Sequence, residues 1–216
     1  LLDQDHELAK EQFIVGEGNY KSLRPLNPTD RISLNQDKEH YIIFSKNAEY
    51  VISKQSGFLL SIQMEGREIL ESEVIPNFWR PMTDNDIGNL MYDRLSVWKG
   101  VELRLGKISH IFTDYSLKVF SNFLMKGSTQ KYIMTYEIET NGSIKVSGQL
   151  ITEDSELPEL PRFGLTMAIK KTYDNIEYYG RGPHENYIDR KVSAHLGIYN
   201  STAAEQYHSY IRPQEN

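Results

Sequence analysis

The feature that most narrows what this chain can fold into is an apolar alternation of period two. Turn residues interrupt it every five to eight positions from Tyr41 onward. That is the spacing of short antiparallel strands, whereas an amphipathic helix repeats every 3.6 residues. The clearest case sets Tyr132, Met134, Tyr136 and Ile138 against Ile144, Val146 and Leu150 across Asn141-Gly142. Alternate side chains of a strand share a face, so this run predicts one buried face, with Thr135, Glu137 and Glu139 turned toward water or a second layer. Asn-Gly is the pair best suited to positive φ in a tight type I′ turn, so the segment predicts a hairpin.

The same rhythm predicts strands at residues 41–45 and 49–53 around a turn at 46–48. After a turn at Gln55-Ser56-Gly57 it continues through Phe58, Leu60, Ile62 and Met64, then turns at Glu65-Gly66 into residues 67–70. Further strands are predicted at 106–112, 116–122, 163–169 and 175–179. Short helices are predicted at 89–97 and 203–210, both below the length at which a helix stands alone. Residues 17–28 are rich in Gly, Asn, Ser and Pro without periodicity. They mark a connector, taken as 17–35, between a strand-like stretch at 1–16 and a main domain over 36–216. The fold class is all-β, a large antiparallel sandwich with few short helices.

Composition closes off several functions. Hydrophobic residues at 39% and charged residues at 25%, well mixed, suffice for a packed core and argue against disorder. A net charge of -6 with Lys and Arg scattered gives no surface for phosphate backbones or anionic lipid, so neither nucleic acid nor membrane is an expected partner. With Cys 0 there is no disulfide, zinc-thiolate site or cysteine nucleophile. The start, LLDQDHELAK, lacks the basic and apolar regions of a signal peptide and reads as internal to a longer protein. The compartment, cytoplasmic or periplasmic, stays open.

Two polar clusters invite chemistry. Asp84, Asn85 and Asp86 put three oxygen donors in a row, but the helix-flanked calcium loop needs acids at positions 1, 3 and 5 with Gly at 6, and Gly88 falls at 5. The better reading is a polar turn: short side chains close Asx turns, Arg80 pairs with one carboxylate, and Phe78 and Trp79 are buried beside it. In the second cluster Glu185 and Asp189 stand four apart, as two acids on one helix face would. Acid/base work by a carboxyl pair would need the two groups about 5 Å apart. The alternative, which we favour, has Glu185 and Asp189 bonding backbone N–H groups or pairing with Arg181 and Arg190 to fix a glycine-rich loop that also contains Asn186. Gly180, Gly182 and Pro183 predict a sharp bend at a strand end, through unusual glycine angles and a missing ladder donor. His184 beside this turn is read as a surface or hydrogen-bonded residue.

Three stretches, FWRPMTDNDIG (78–88), YYGRGPHENYIDRK (178–191) and YIRPQEN (210–216), resemble the family 2 glycoside hydrolases of the β-galactosidase kind. HELAKEQF (6–13) and QSGFLLSI (55–62) match more weakly in the same order, so the resemblance covers essentially the whole chain. It implies a galactose-mutarotase-like supersandwich that follows an immunoglobulin-like domain, whose last strand would be residues 1–16, and a TIM barrel. Both catalytic carboxylates would belong to the barrel and none to this stretch. The resemblance implies no cofactor here, with Mg and Na held by the barrel of the parent enzyme. Partners would be the barrel and other domains of the parent chain, a galactoside indirectly, and further copies in a homo-oligomer. The family pattern continues past RPQEN, so the domain is expected to be truncated at its C-terminus and to lack an aromatic side chain of the galactosyl site. Asp84, Asn85, Asp86 and Gly88 would lie near the mouth of the barrel's active site, with residues 88–94 a mobile lip hinged at Gly88.

Two other functions compete. A carbohydrate-binding module would stack sugar on Trp79, Trp98 or some of the tyrosines. An aldose epimerase on the mutarotase-like fold would need a His acid and a Glu base, but His184 and Glu185 are adjacent and would point to opposite faces of a strand. A neighbouring family 2 activity, such as a glucuronidase, is the alternative for the parent enzyme.

Overall fold

The computed structural model describes residues 10–13, 15–16, 29–152, 157–186 and 191–208. Two compact units divide them: residues 23–171 form one, and residues 1–22 with 172–208 form the other. The division falls inside the stretch 36–216 that the sequence reads as one domain.

In the larger unit the chain opens as an antiparallel meander of β1 (Ile32–Gln36), β2 (His40–Ser45), β3 (Ala48–Ser53), β4 (Leu59–Met64) and β5 (Arg67–Glu68), paired in chain order. β1 starts within the segment read as connector. Tyr41, Ile43 and Ser45 on β2 and Ala48, Tyr50 and Ile52 on β3 are buried, the period-two signature of a half-covered sheet. On β4 the fully buried side chain is Leu59, not a member of the predicted Phe58, Leu60, Ile62, Met64 face. A register shift between Val51 and Ile52 moves Ile52 opposite Leu59 and turns that side chain inward.

The second sheet is β7 (Leu103–Phe112), β8 (Ser116–Met125), β9 (Lys131–Glu139) and β10 (Ile144–Ile151), in the order β10-β9-β8-β7. On β9 the predicted alternation is present: Tyr132, Met134, Tyr136 and Ile138 are at most 1% exposed, while Thr135, Glu137 and Glu139 are half-buried. The loop to β10 differs from the predicted type I′ turn. Only Gly142 of the Asn141-Gly142 pair has positive φ (78°), and Glu139 N donates to Ser143 O at 2.9 Å across a three-residue loop. This is a type I turn closed by a left-handed glycine. Tertiary packing selects it: Asn141 is buried and its Oδ1 accepts from Ser143 N at 2.9 Å, and a Cβ on Gly142 would lie 3.2 Å from Ser45 O.

The two sheets face each other as a sandwich. Phe58 stacks on Phe123 with ring centroids 5.0 Å apart. The Tyr136 hydroxyl donates to Gly57 O at 3.1 Å and accepts from Leu59 N at 3.2 Å, which satisfies a phenol whose ionisation burial suppresses. Ser121 Oγ also donates to Gly57 O (2.8 Å), and Tyr50 donates its hydroxyl to Gly142 O (2.9 Å). Each fully buried apolar side chain in this core is worth about 1.5–3 kcal/mol.

Between the sheets in sequence, β6 (Ile75–Asn77) pairs with β11 (Gly164–Thr166) in a separate two-stranded ribbon. The strand predicted over 163–169 is therefore paired over only part of its length, with one further bridge between Leu70 and Ile169. In place of one helix at 89–97 there are α1 (Asp84–Gly88), α2 (Met91–Arg94) and a 3-10 turn at Ser96–Trp98. The helix predicted at 203–210 is a turn over 203–206, and its last residues lie outside the described ones.

The smaller unit contains β12 (Asn175–Gly182) antiparallel to β13 (His195–Thr202), with Tyr178 opposite Tyr199. Gln12 docks on β13: its Nε2 donates to Leu196 O at 2.7 Å and its Oε1 accepts from Leu196 N. The bend predicted at the strand end falls at residues 183–184, directly after β12, but Gly180 and Gly182 lie within the strand and neither has a positive φ. Gly182 instead makes room for rings. A Cβ there would fall 2.4 Å from the Tyr178 hydroxyl and 2.8 Å from the Tyr199 ring.

Candidate functional site

The excursion between β6 and β7 carries a polar network centred on Arg80 and Asp86. Phe78, 3% exposed, anchors its start, edge-on to Tyr132 at 5.6 Å. The next residue but one, Arg80, grips Asp86 with both guanidinium ends: Nη1 to Oδ2 at 2.6 Å and Nη2 to Oδ1 at 3.0 Å. Its Nε donates to Pro161 O at 3.0 Å. Thr83 caps α1. Its Oγ1 accepts from Asp86 N, and Asp86 Oδ2 accepts from Thr83 N and Thr83 Oγ1, each at 2.9 Å.

Asp86 is thus the third residue of a capping box and not an Asx-turn residue. The signal was present in the sequence as Thr83 followed three residues later by an acid, immediately before a short helix. Burial pushes the Asp86 carboxyl up, but Arg80 and the Thr83 N–H and hydroxyl outweigh it and hold the group below the usual carboxylate range. With both oxygens engaged, Asp86 offers no free ligand to a cation, so Asp84, Asn85 and Asp86 do not fit a three-oxygen metal site. Asp84 and Asn85 sit exposed on the first turn, where negative charge suits a helix start.

The rest of the excursion is anchored in the core cluster of the larger unit. Met91, Leu95 and Trp98 are buried, and Trp98 Nε1 donates to Pro158 O at 3.1 Å. Arg94 pairs with Glu159. Four large apolar side chains of the excursion, Ile87, Leu90, Tyr92 and Val97, are about half exposed or more, among exposed Asp84, Asn85, Asn89, Asp93, Arg94 and Lys99. Lys99 sits 4.1 Å over the Tyr92 ring and bonds its hydroxyl at 2.7 Å. Gly88, read as the hinge of a lip, ends α1 without a positive φ and faces open space, whereas the left-handed joint between the helices is Leu90, φ 53°. Buried Trp98 is closed to sugar stacking, and Trp79 stands edge-on to Tyr92.

In the smaller unit, Arg181 Nη1 donates to Ala194 O at 2.8 Å and Lys191 O at 3.3 Å, clipping the segment that leads into β13. His184 Nδ1 bonds Glu185 O at 2.8 Å, and Asn186 Nδ2 donates to Arg181 O at 3.5 Å. Pro183 follows β12 directly and its carbonyl accepts from the Tyr178 hydroxyl at 3.4 Å. Asp189 and Arg190 lie outside the described residues, and with them any pairing to Glu185. The cluster as described orders a loop around backbone carbonyls.

Known proteins supply the family. Residues 44–216 match the model described as the beta galactosidase small chain. The chain is similar to the beta-galactosidase of Lactobacillus delbrueckii subsp. bulgaricus (33% identity over 99% of this chain), that of Actinobacillus pleuropneumoniae (31% over 100%) and that of Priestia megaterium (30% over 97%). It spans 20–22% of the length of these three relatives, about a fifth. An antiparallel all-β chain with most of its length inside that match belongs to the beta-galactosidase small chain family.

Proposed function

We propose that this chain is the small-chain region of a β-galactosidase, a hydrolase of terminal β-galactosides whose acid/base and nucleophile lie on a separate catalytic barrel. The region packs on the barrel and on other domains of the same polypeptide, and the 78–98 excursion shapes the active-site mouth. One observation carries the reading: nearly all of the chain aligns with about a fifth of proteins named beta-galactosidase. The excursion suits a mouth because Arg80, Thr83 and Asp86 brace its base while Ile87, Leu90 and Tyr92 present apolar surface outward. Such surface can exclude water from a sugar site.

Any Mg or Na the activity requires is assigned to the barrel, residues 1–16 to the preceding immunoglobulin-like domain, and the whole enzyme to a homo-oligomer. The test is kinetic. In the full-length protein acting on a chromogenic galactoside, replacing Ile87 and Leu90 together by Ser raises KM several-fold with the melting temperature unchanged. Unaltered KM removes the excursion from the mouth. Galactose release by residues 1–216 alone defeats the assignment of the chemistry to the barrel.

A further inference from the structure

Asn141-Gly142 is the one place in the sequence where asparagine precedes glycine. Because glycine has no side chain, its nitrogen can close on the asparagine Cγ, and the side-chain amide is then lost through a succinimide ring. The fold withholds each thing that this closure needs. The Gly142 N–H, which must give up its proton to attack, donates to Glu139 O at 3.0 Å. The amide under attack is pinned: Asn141 Oδ1 accepts from Ser143 N at 2.9 Å and lies 2.7 Å from the Ser143 hydroxyl, while Nδ2 donates to Glu139 Oε2 at 3.2 Å. Asn141 is 3% exposed, which keeps out the water that takes the proton and later opens the ring.

The lock is closed from the facing sheet. Ser45 on β2 donates its hydroxyl to Glu139 O at 2.5 Å, the same carbonyl that holds Gly142 N, and Tyr50 on β3 donates to Gly142 O at 2.9 Å. Docking of the β1–β5 sheet and closure of the β9–β10 loop are therefore one event. β10 lies at the edge of its sheet, with β9 as its one strand partner among the described residues. A loop at an edge opens at lower cost than one held on both sides.

We infer that Asn141-Gly142 is a self-modification site, silent while the β9–β10 loop is docked on β2 and β3, released when that loop opens, and leaving an acid that keeps it open. On opening, Gly142 N bonds to Asn141 Cγ and passes its proton to water, the Cγ–Nδ2 bond breaks, and Nδ2 takes up a proton and leaves as ammonia. Water then adds at either ring carbonyl to give aspartate or isoaspartate, with no change of oxidation state. Neither product fits the native loop. An aspartate carboxylate would face Glu139 Oε2 where Nδ2 had donated, two like charges at a site closed to water. Isoaspartate lengthens the backbone by one carbon inside the loop that sets the register of β9 against β10. An opening long enough to react is thereby recorded permanently, and the marked chain loses a contact between its two sheets.

Ageing the full-length protein at mildly alkaline pH tests the site, with conversion at Asn141 followed by peptide mass spectrometry in native buffer and in guanidinium. Native conversion is expected to be slower by roughly a hundredfold or more, since only the opened fraction reacts. Equal rates overturn the inference. Tyr50→Phe, which removes one anchor from the facing sheet, is expected to speed native conversion several-fold and to leave the rate in guanidinium unchanged. A native rate indifferent to that substitution also overturns it. The trapping step is read by amide exchange over residues 139–144 in Asn141→Asp, with Asn141→Ala removing the same bonds but adding no charge. Exchange is expected to be faster in the aspartate protein than in the alanine one by roughly tenfold. An aspartate protein that fails to fold where the alanine one folds counts the same way, and like behaviour of the two shows that the acid does not hold the loop open.

Discussion

β9 and the 163–169 segment are written in the same code and end differently. Both place a large apolar residue at every second position; in β9 these are at most 1% exposed, in the other segment 40% or more. β9 has β8 and β10 on its edges and bonds through Tyr136 to the segment leading into β4, while among the described residues β11 pairs with β6 only. Alternation therefore specifies which side of a strand is apolar, and pairing has to be supplied from elsewhere in the chain or beyond it.

The sharpest way to break this comparison is to shorten the same side chain in both places. Met134→Ala empties a fully buried site and is expected to cost about 3 kcal/mol, whereas Met167→Ala in the 216-residue chain is expected to cost under about 0.5 kcal/mol. Urea denaturation measures both. Equal losses would mean that Met167 is packed within the chain itself, and the contrast between the two strands would vanish.

The same contrast explains what was legible in the sequence. The strands of the sandwich were readable because local alternation and long-range packing agree there. Their departures came from tertiary contacts that leave no local mark: Ser45 crowding Gly142 selects the hairpin loop, and the register shift at Val51 turns Leu59 inward. β13 went unpredicted because apolar Leu196 and Ile198 sit on its exposed side, while His195, Gly197 and Tyr199 take the other. At the candidate site, Arg80 with a carboxylate partner was readable from composition, but the choice of Asp86 over Asp84 depended on the Thr83 capping box. The buried role of Trp98 and the glycine that accommodates Tyr178 and Tyr199 are contacts between distant residues, beyond any window along the chain.

A second comparison lies within the excursion, between the braced Asp86 and the exposed Asp84 two residues before it. Asp86→Ala strips Arg80 and Thr83 of charge-assisted bonds and is expected to cost about 2 kcal/mol, seen as faster amide exchange over 83–98. Asp84→Ala is expected to change exchange much less. The pH dependence follows from the direction of the shift. The folded-state pKa of Asp86 lies below its unfolded value, so its stabilisation is complete above the ordinary carboxylate pKa of about 4 and is lost as pH falls through the lower folded value. Glu68 acts in the same sense: burial raises it, but bonds from the Ser61 hydroxyl and the Leu70, Ile62 and Ile69 backbone lower it more. Asp86→Asn should flatten the acid limb of the stability curve for the excursion. An unchanged acid limb would show that Asp86 titrates alike in both states.

The smallest expected effect separates Gly88 from Leu90. Gly88 has no positive φ, and a Cβ there meets nothing within 4 Å, so Gly88→Ala should alter stability by less than about 1 kcal/mol, the scale of helix propensity. Leu90 holds φ 53°, which a β-branched side chain tolerates poorly, so Leu90→Val should cost about 1 kcal/mol and speed exchange in α1 and α2. The reverse order would put the strained joint at Gly88. A third outcome is the more instructive one: Gly88→Ala leaving stability intact while shifting KM in the full-length enzyme. An alanine that fits this conformation and still changes catalysis must be disfavoured in another one, which would make Gly88 the residue whose backbone turns when the excursion moves, with Leu90 the fixed corner about which it is braced.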